Sequence, residues 1–167
     1  MPKQLFIYDV DDSLQDMFTQ RGNDMLLFSA SPAVKNCLGC FGCWLKTPGQ
    51  CVIPDRCQVI PSYIAQCSEV IILSPIFCGG YSQKVKAVLD RSIGYILPYF
   101  RIVNKEMHHQ MRYENPFRLS VHFYGEYDEK ERETARRLVK ANAVNLGAGD
   151  YSVDFYDTAE DAGRTLL

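Results

Sequence analysis

The fold of this chain is decided by the segment Glu69-Val-Ile-Ile-Leu-Ser-Pro-Ile-Phe-Cys-Gly-Gly-Tyr-Ser-Gln-Lys-Val-Lys-Ala-Val-Leu-Asp-Arg91. A strand over residues 70–74 would be apolar on both faces, which is typical of a buried strand in a parallel sheet. A turn with two glycines follows, and residues 82–93 then place Val85, Val88 and Leu89 on one face of a helix. A strand, a turn and a helix in this order form the repeating unit of α/β folds.

The rest of the chain alternates between strand-like and helix-like segments. Further strands are predicted at residues 4–10, 25–28, 117–123 and 151–155. Helices are predicted at residues 58–67 and 128–146, with only short ones at 11–20 and 158–166, a cysteine-rich loop at 36–56 and an irregular segment at 94–116. The sequence therefore predicts one α/β domain over residues 1–167, a three-layer flavodoxin-like sandwich around a five-stranded parallel sheet of order 2-1-3-4-5, with shortened first and last helices.

Composition narrows the classes of function. The 18 basic and 20 acidic residues give a net charge of −2, which argues against a nucleic-acid partner. The apolar runs are too short to span a bilayer, and the N-terminus lacks the features of a secretory leader. We therefore expect a cytoplasmic protein without a membrane partner, whose seven cysteines stay reduced and serve metal binding, catalysis or core packing.

The cysteine loop carries the clearest chemical pattern. The run Cys37-Leu-Gly-Cys-Phe-Gly-Cys43 contains three thiols with two residues between successive cysteines, and its glycines let the backbone curl around them. A fourth thiol, Cys51, returns after the turn at residues 47–49. Four converging thiolates suit an iron–sulfur cluster of the 4Fe–4S type, or less well a zinc ion. The predicted metal ligands are Cys37, Cys40, Cys43 and Cys51.

Two other interpretations of the cysteines stay open. In one, the thiols pack the loop in their reduced form; in the other, Cys57 replaces Cys51 at the fourth ligand position. Cys67 stands at a predicted helix end, where a small apolar core residue is expected.

A family resemblance follows from these stretches. The runs Cys37-Leu-Gly-Cys-Phe-Gly-Cys-Trp44 and Pro48-Gly-Gln-Cys-Val-Ile-Pro-Asp55, with residues 69–91, resemble the flavodoxin-like NADPH-dependent FMN reductases, and most of all their iron–sulfur flavoprotein branch. The likeness is close over residues 37–99, loose over 117–155 and poor over 1–36. It implies an NAD(P)H-dependent oxidoreductase in which a flavin takes electrons and the cluster relays them singly.

The resemblance also implies the flavin contacts. The loop after the central strand would border the isoalloxazine ring, and Gly79-Gly80 would let backbone N–H groups approach it. The loop after the next strand would form the second wall. The implied residues are Ser74, Pro75, Ile76, Phe77, Cys78, Gly79, Gly80, Tyr124 and Gly125. Read without the resemblance, the first loop is a turn into a helix, flanked by core aromatic residues.

The first turn departs from the family pattern. In the family, a loop rich in Ser, Thr, Gly and Arg holds the FMN phosphate at a helix N-terminus. This chain has Tyr8-Asp-Val-Asp-Asp-Ser-Leu14 there, with neither Gly nor Arg. Asp9, Asp11 and Asp12 would stand where the phosphate binds in the family. At a separation of about 5 Å and an effective dielectric near 20, each of these carboxylates would repel each phosphate charge by roughly 3 kcal/mol. We therefore expect FMN to bind weakly or not at all.

Two functions follow from the sequence. The first is a redox protein that moves electrons between a donor and an acceptor that the sequence does not name, through a flavin and an iron–sulfur cluster. The second is a flavin-free, non-catalytic relative that serves as a binding or partner subunit.

Three smaller expectations complete the picture. The short first and last helices would leave one sheet face thinly covered, which predicts a homodimer or a partner subunit over that face. His108, His109 and His122 are expected to be structural. The pair Asp90-Arg91 at the end of a helix is expected to form a structural ion pair.

Overall fold

The computed structural model of the protein describes residues 3–19 and 24–166. The central sheet contains β1 (Lys3–Tyr8), β2 (Met25–Ser29), β3 (Cys67–Phe77), β7 (Arg118–Tyr124) and β8 (Asp150–Tyr156), in the order β2-β1-β3-β7-β8. All neighbouring strands on this path are parallel, which confirms the predicted sheet. The short strand β4 (Gly80–Tyr81) adds an antiparallel pairing to the end of β3.

Six α-helices surround the sheet within the described residues. They are α1 (Asp12–Thr19), α2 (Gly42–Leu45), α3 (Ile60–Ile64), α4 (Gln83–Arg91), α5 (Glu129–Leu146) and α6 (Ala159–Leu166). The capping box of Asp128 and Glu131 starts α5, and Gly147 ends it with a φ of 71°, as its sequence predicts. No helix in the described part of the chain combines the length and the apolar character that crossing a membrane requires.

Strand β3 lies at the centre of the hydrophobic core. Val70 and Ile72 face one cluster, and Ile71 and Leu73 face the other, each no more than 5% exposed. The strand is therefore apolar on both faces because both faces are buried, as the sequence predicts. Cys67 is also fully buried in the core, where burial raises the pKa of its thiol to about 11.

Two predicted segments differ from the structure. Most of residues 94–116 is not irregular, because β5 (Ile96–Val103) and β6 (Glu106–Met111) pair there as an antiparallel hairpin, and apart from the hairpin turn only residues 112–116 lack a strand or helix. Asn104 and Lys105 form its two-residue turn with positive φ angles of 51° and 69°. The predicted helix over 58–67 is a 3-10 turn (Arg56–Val59) followed by α3, because β3 already begins at Cys67.

The face of the sheet under the short helices is covered within the chain. Phe6 and Leu73 are fully buried there, and Ala159 and Ala162 of α6 pack into the same cluster. The small alanine side chains let α6 approach the sheet closely, so eight residues suffice. The expectation that the apolar centre of this face is thinly covered was therefore wrong. The homodimer remains a prediction, but thin coverage of the sheet no longer supports it.

The remainder of this face is polar. Glu69 accepts hydrogen bonds from Gln4 Nε2 and Ser120 Oγ, both at 2.7 Å. His122 is 7% exposed, and its Nδ1 lies 3.3 Å from Tyr156 Oη. Burial lowers the pKa of His122, and the opposing effects of Asp154 and Glu69 do not offset it.

His122 makes the stability depend on pH. Folding disfavours the protonated imidazole, because burial lowers its pKa, whereas the unfolded chain takes up a proton near pH 6.5. The unfolded state therefore binds more protons below that pH, and the free energy of unfolding should fall as the pH drops from about 6.5. Urea unfolding between pH 5 and 8 should show a smaller pH slope for His122→Gln than for the wild type. Equal slopes would contradict this assignment.

Candidate functional site

The four predicted ligand cysteines line one cavity. Cys43 and Cys51 are buried at its base, whereas Cys37 and Cys40 are exposed. The rest of the described lining consists of one glycine, four apolar side chains and one cation, namely Gly39, Leu38, Phe41, Ile53, Ile93 and Arg91. Residues as far apart in the sequence as Cys37 and Ile93 thus line the same cavity.

Backbone geometry explains why the loop closes in this way. Gly39 and Phe41 adopt left-handed φ angles of 62° and 55°, which turn the chain before α2. A Cβ on Gly42 would lie 2.6 Å from Val52 Cγ1, so glycine lets the two limbs of the loop approach without displacing the Val52 side chain. The N–H of Gly49 donates to the carbonyl of Cys43 at 2.9 Å, which brings the following Cys51 back to the cavity.

The structure separates Cys51 from its competitor. Cys57 is fully buried beside α4, with its Sγ 4.0 Å from the carbonyl oxygen of Val88, and it is not among the residues that line the cavity. Burial raises the pKa of the Cys57 thiol to about 12. Cys57 therefore behaves as a core residue, while Cys51 shares the cavity with the other three thiols.

The thiol arrangement does not fit a single zinc ion. Within residues 3–19 and 24–166, no three His, Cys, Asp or Glu side chains are arranged to hold one metal ion. Zinc would draw each sulfur to about 2.3 Å from the metal. A cluster places iron and sulfide atoms between its ligands and therefore needs them farther apart. Four thiols at one cavity are the donor set that a 4Fe–4S cluster uses.

Arg91 lines the cavity and forms hydrogen bonds to several of the residues around it. Its side chain is 0% exposed, and Nε donates to Cys51 Sγ at 3.0 Å. The two terminal nitrogens bind Asp55 Oδ2 at 2.9 Å and Asp55 Oδ1 at 2.8 Å. They also donate to the carbonyl oxygens of Lys35 at 2.8 Å and Ile53 at 3.2 Å. All five N–H groups of the guanidinium are thus used.

The expected pairing of Asp90 with Arg91 was wrong. Asp90 pairs with Lys86 one helical turn earlier, with a 2.6 Å contact, and Arg91 points inward to Asp55. The hydrogen bonds from Arg91 are the largest cause that lowers the pKa of Asp55. No local pattern in the sequence indicates this pair, because 36 residues separate its members.

The loop after β3 is a tight turn that packs on the chain itself. Cys78 and Gly79 have φ angles of 49° and 70° and connect β3 to β4. A Cβ on Gly79 would lie 2.9 Å from the carbonyl oxygen of Glu131 in α5. Ser74 is buried, and its Oγ accepts from the N–H of Ser82 at 2.9 Å. Among the nine residues implied by the resemblance, Phe77 and Cys78 are exposed, while Pro75 and Tyr124 pair across β3 and β7.

Known proteins match this chain in structure only. No family model matches it, and no curated protein matches its sequence. An FMN-dependent NADH-azoreductase from Bacillus anthracis in complex with FMN matches with a TM-score of 0.55 and 17% identity, over 99% of each chain. General stress protein 14 from Treponema denticola in complex with FMN matches with a TM-score of 0.59 and 13% identity, over 99% of this chain and 91% of that one. An NAD(P)H:quinone oxidoreductase from Methanothermobacter marburgensis gives a TM-score of 0.56 and 10% identity, over 99% and 93%.

The fold is flavodoxin-like. Identities this low show the fold and leave cofactor and activity to the residues of this chain.

The β1–α1 turn does not fit the FMN phosphate. Asp9 is 6% exposed and accepts from Lys84 Nζ at 3.1 Å. Tyr124 Oη donates to the carbonyl oxygen of Asp9 at 2.7 Å, and the N–H of Asp9 donates to the carbonyl of Leu73 at 3.0 Å. The side chain, N–H and carbonyl of Asp9 are thus all bonded within the chain, and Asp11 and Asp12 add two exposed carboxylates.

This turn predicts an unusual ranking of flavins. Riboflavin, which lacks the phosphate, should bind no worse than FMN, because Asp11 and Asp12 repel the phosphate and the nearby cation Lys84 is already paired with Asp9. Fluorescence titrations of the two flavins under the same conditions would measure this. Tight FMN binding with much weaker riboflavin binding would contradict the prediction and require a phosphate site supplied by other groups.

The turn at Gly79 predicts a stability difference between two matched variants. Gly79→Ala and Gly39→Ala both force alanine into left-handed backbone, at a cost of about 1–2 kcal/mol. Only Gly79→Ala also brings a methyl group against α5, since nothing lies within 4 Å of the site at Gly39. Urea unfolding should show a further loss of roughly 1–3 kcal/mol for Gly79→Ala. Equal losses would mean that the turn does not pack tightly on α5.

Proposed function

We propose that this flavodoxin-like protein is a redox protein of the oxidoreductase class that carries electrons through a 4Fe–4S cluster at Cys37, Cys40, Cys43 and Cys51. The observation that carries the proposal is the shared cavity of these four thiols, with a buried guanidinium N–H on the sulfur of Cys51. Such a cluster, when bound, takes up and releases one electron at a time.

The surrounding residues suit this role. Leu38, Phe41, Ile53 and Ile93 give the cavity apolar walls, which limit the access of water to a bound group. Cys37 and Cys40 are exposed, so one side of the cavity faces the protein surface. A redox partner could therefore approach the bound group closely while the buried side stays enclosed.

The proposal does not route electrons through FMN. Solved structures of similar fold are described as FMN-dependent or as complexes with FMN, which supports a flavin redox ancestry for the fold. In this chain Asp9, Lys84 and Tyr124 close the turn at the phosphate end. These residues therefore argue against an FMN reductase activity, although the family resemblance implies one.

The second candidate is a flavin-free, non-catalytic partner subunit. The internal contacts of the β1–α1 turn favour it, because Asp9 binds Lys84 and Tyr124 of the same chain rather than a ligand. In this case the four thiols pack the loop in reduced form and Arg91 has a structural role only.

Two matched cysteine variants distinguish the candidates. After anaerobic reconstitution with ferrous iron and sulfide, the wild type should turn brown with a broad absorption band in the blue. Cys51→Ala should lose this band, because it removes a ligand. Cys57→Ala should keep it and lose roughly 1–2 kcal/mol of stability, because it removes a buried core side chain.

The opposite outcomes have distinct meanings. A colourless wild type would contradict the cluster and favour the partner subunit. A band that is lost in Cys57→Ala and kept in Cys51→Ala would make Cys57 the fourth ligand.

A further inference from the structure

Arg91 is the only charged residue among those described as lining the cysteine cavity. Its guanidinium is buried, and its planar fork is fixed by Asp55 and by two backbone carbonyls. Four of its five N–H groups thus hold it in place. The fifth, on Nε, points to Cys51 Sγ at 3.0 Å.

We propose that Arg91 is a positioning residue that raises the reduction potential of the cluster through the N–H bond from its Nε to Cys51 Sγ. This inference rests on the proposed function. A hydrogen bond to a ligating sulfur draws negative charge from the cluster and stabilises the form that carries the additional electron. The buried position strengthens the effect, because little water competes for the sulfur.

Asp55 acts on the same cluster with the opposite sign. Its carboxylate binds both ends of the guanidinium and offsets much of the positive charge that the cavity would otherwise receive. It also accepts from the N–H groups of Cys57 at 2.9 Å and Lys35 at 3.2 Å, which hold the loop. An amide at this position keeps an oxygen acceptor and removes the negative charge.

Two substitutions therefore shift the potential in opposite directions. Arg91→Lys keeps a positive charge near Asp55 but puts a methylene group in place of the Nε–H, so Cys51 loses its donor. Asp55→Asn leaves the charge of Arg91 uncompensated beside the cluster. A purely structural role of the Arg91–Asp55 pair would give both variants the same defect.

Arg56 supplies a matched control on the same segment. Its guanidinium binds the backbone carbonyls of Ser29 and Pro32 and lies over the ring of Phe28. None of these contacts involves a cysteine. Arg56→Lys should therefore weaken the packing of the loop without changing the potential.

The test is a redox titration of the anaerobically reconstituted wild type and four variants, Arg91→Lys, Asp55→Asn, Asp55→Glu and Arg56→Lys, followed by absorbance and electron paramagnetic resonance. Arg91→Lys should lower the ratio of reduced to oxidised cluster at a given potential roughly tenfold, a shift of about 59 mV for one electron. Asp55→Asn should shift the potential upward, and Arg56→Lys should leave it unchanged. Asp55→Glu, which restores the charge, should return the potential toward the wild-type value.

The outcomes separate this inference from the proposed function. A wild type that binds no cluster overturns both. A cluster whose potential is the same in the wild type, Arg91→Lys and Asp55→Asn overturns only the role of Arg91. Should Asp55→Asn fail to fold, Arg91→Lys against Arg56→Lys still decides, because equal potentials in these two variants overturn the inference.

Discussion

The buried guanidinium of Arg91 is the interaction on which the shape of the cysteine loop depends. Burying an arginine costs several kcal/mol unless its charge is paired and its N–H groups are all bonded. Both conditions hold here, since Asp55 takes two of these bonds, and the carbonyls of Lys35 and Ile53 and the sulfur of Cys51 take the others. The two limbs of the loop are therefore bonded to the end of α4, whose Val85 and Val88 belong to the same core cluster as Val70 and Ile72 of β3.

The cysteine cavity does not lie at the site where parallel sheets usually bind their ligands. Parallel sheets commonly bind ligands at the carboxyl ends of their strands. In this chain the end of β1 is occupied by contacts with Lys84 and Tyr124, and the turn after β3 packs on α5. Burial raises the pKa of Tyr124, which keeps its hydroxyl a proton donor to the carbonyl of Asp9. The cysteine cavity, built beside α4, is the better candidate for chemistry.

The sequence was informative where the physical cause is local. The apolar pattern of β3, the capping box before α5 and Gly147 after it predict elements that the structure contains. The spacing of the cysteines likewise predicts that the four lie near one another, because glycines and a turn separate them by only a few residues, and all four line one cavity. The hairpin of β5 and β6 also had a local signal, the two-residue turn Asn104-Lys105 between strand-like runs, which the aromatic composition obscured.

Features that depend on distant residues could not be predicted. The bond between Arg91 and Asp55 joins positions 36 residues apart, and Asp90 beside Arg91 suggested the wrong partner. The close packing of α6 on the sheet depends on Ala159 and Ala162, whose small size matters only once the helix is placed. Helix length alone therefore overstated how much of the sheet is uncovered.

The central claim, that the four-cysteine cavity holds an iron–sulfur cluster, is tested most directly by anomalous diffraction at the iron absorption edge. Crystals grown without oxygen should show an anomalous peak enclosed by the sulfurs of Cys37, Cys40, Cys43 and Cys51, with Arg91 Nε bonded to the sulfur of Cys51. Iron located elsewhere, or a cavity without an anomalous peak in crystals of reconstituted protein, would contradict the account.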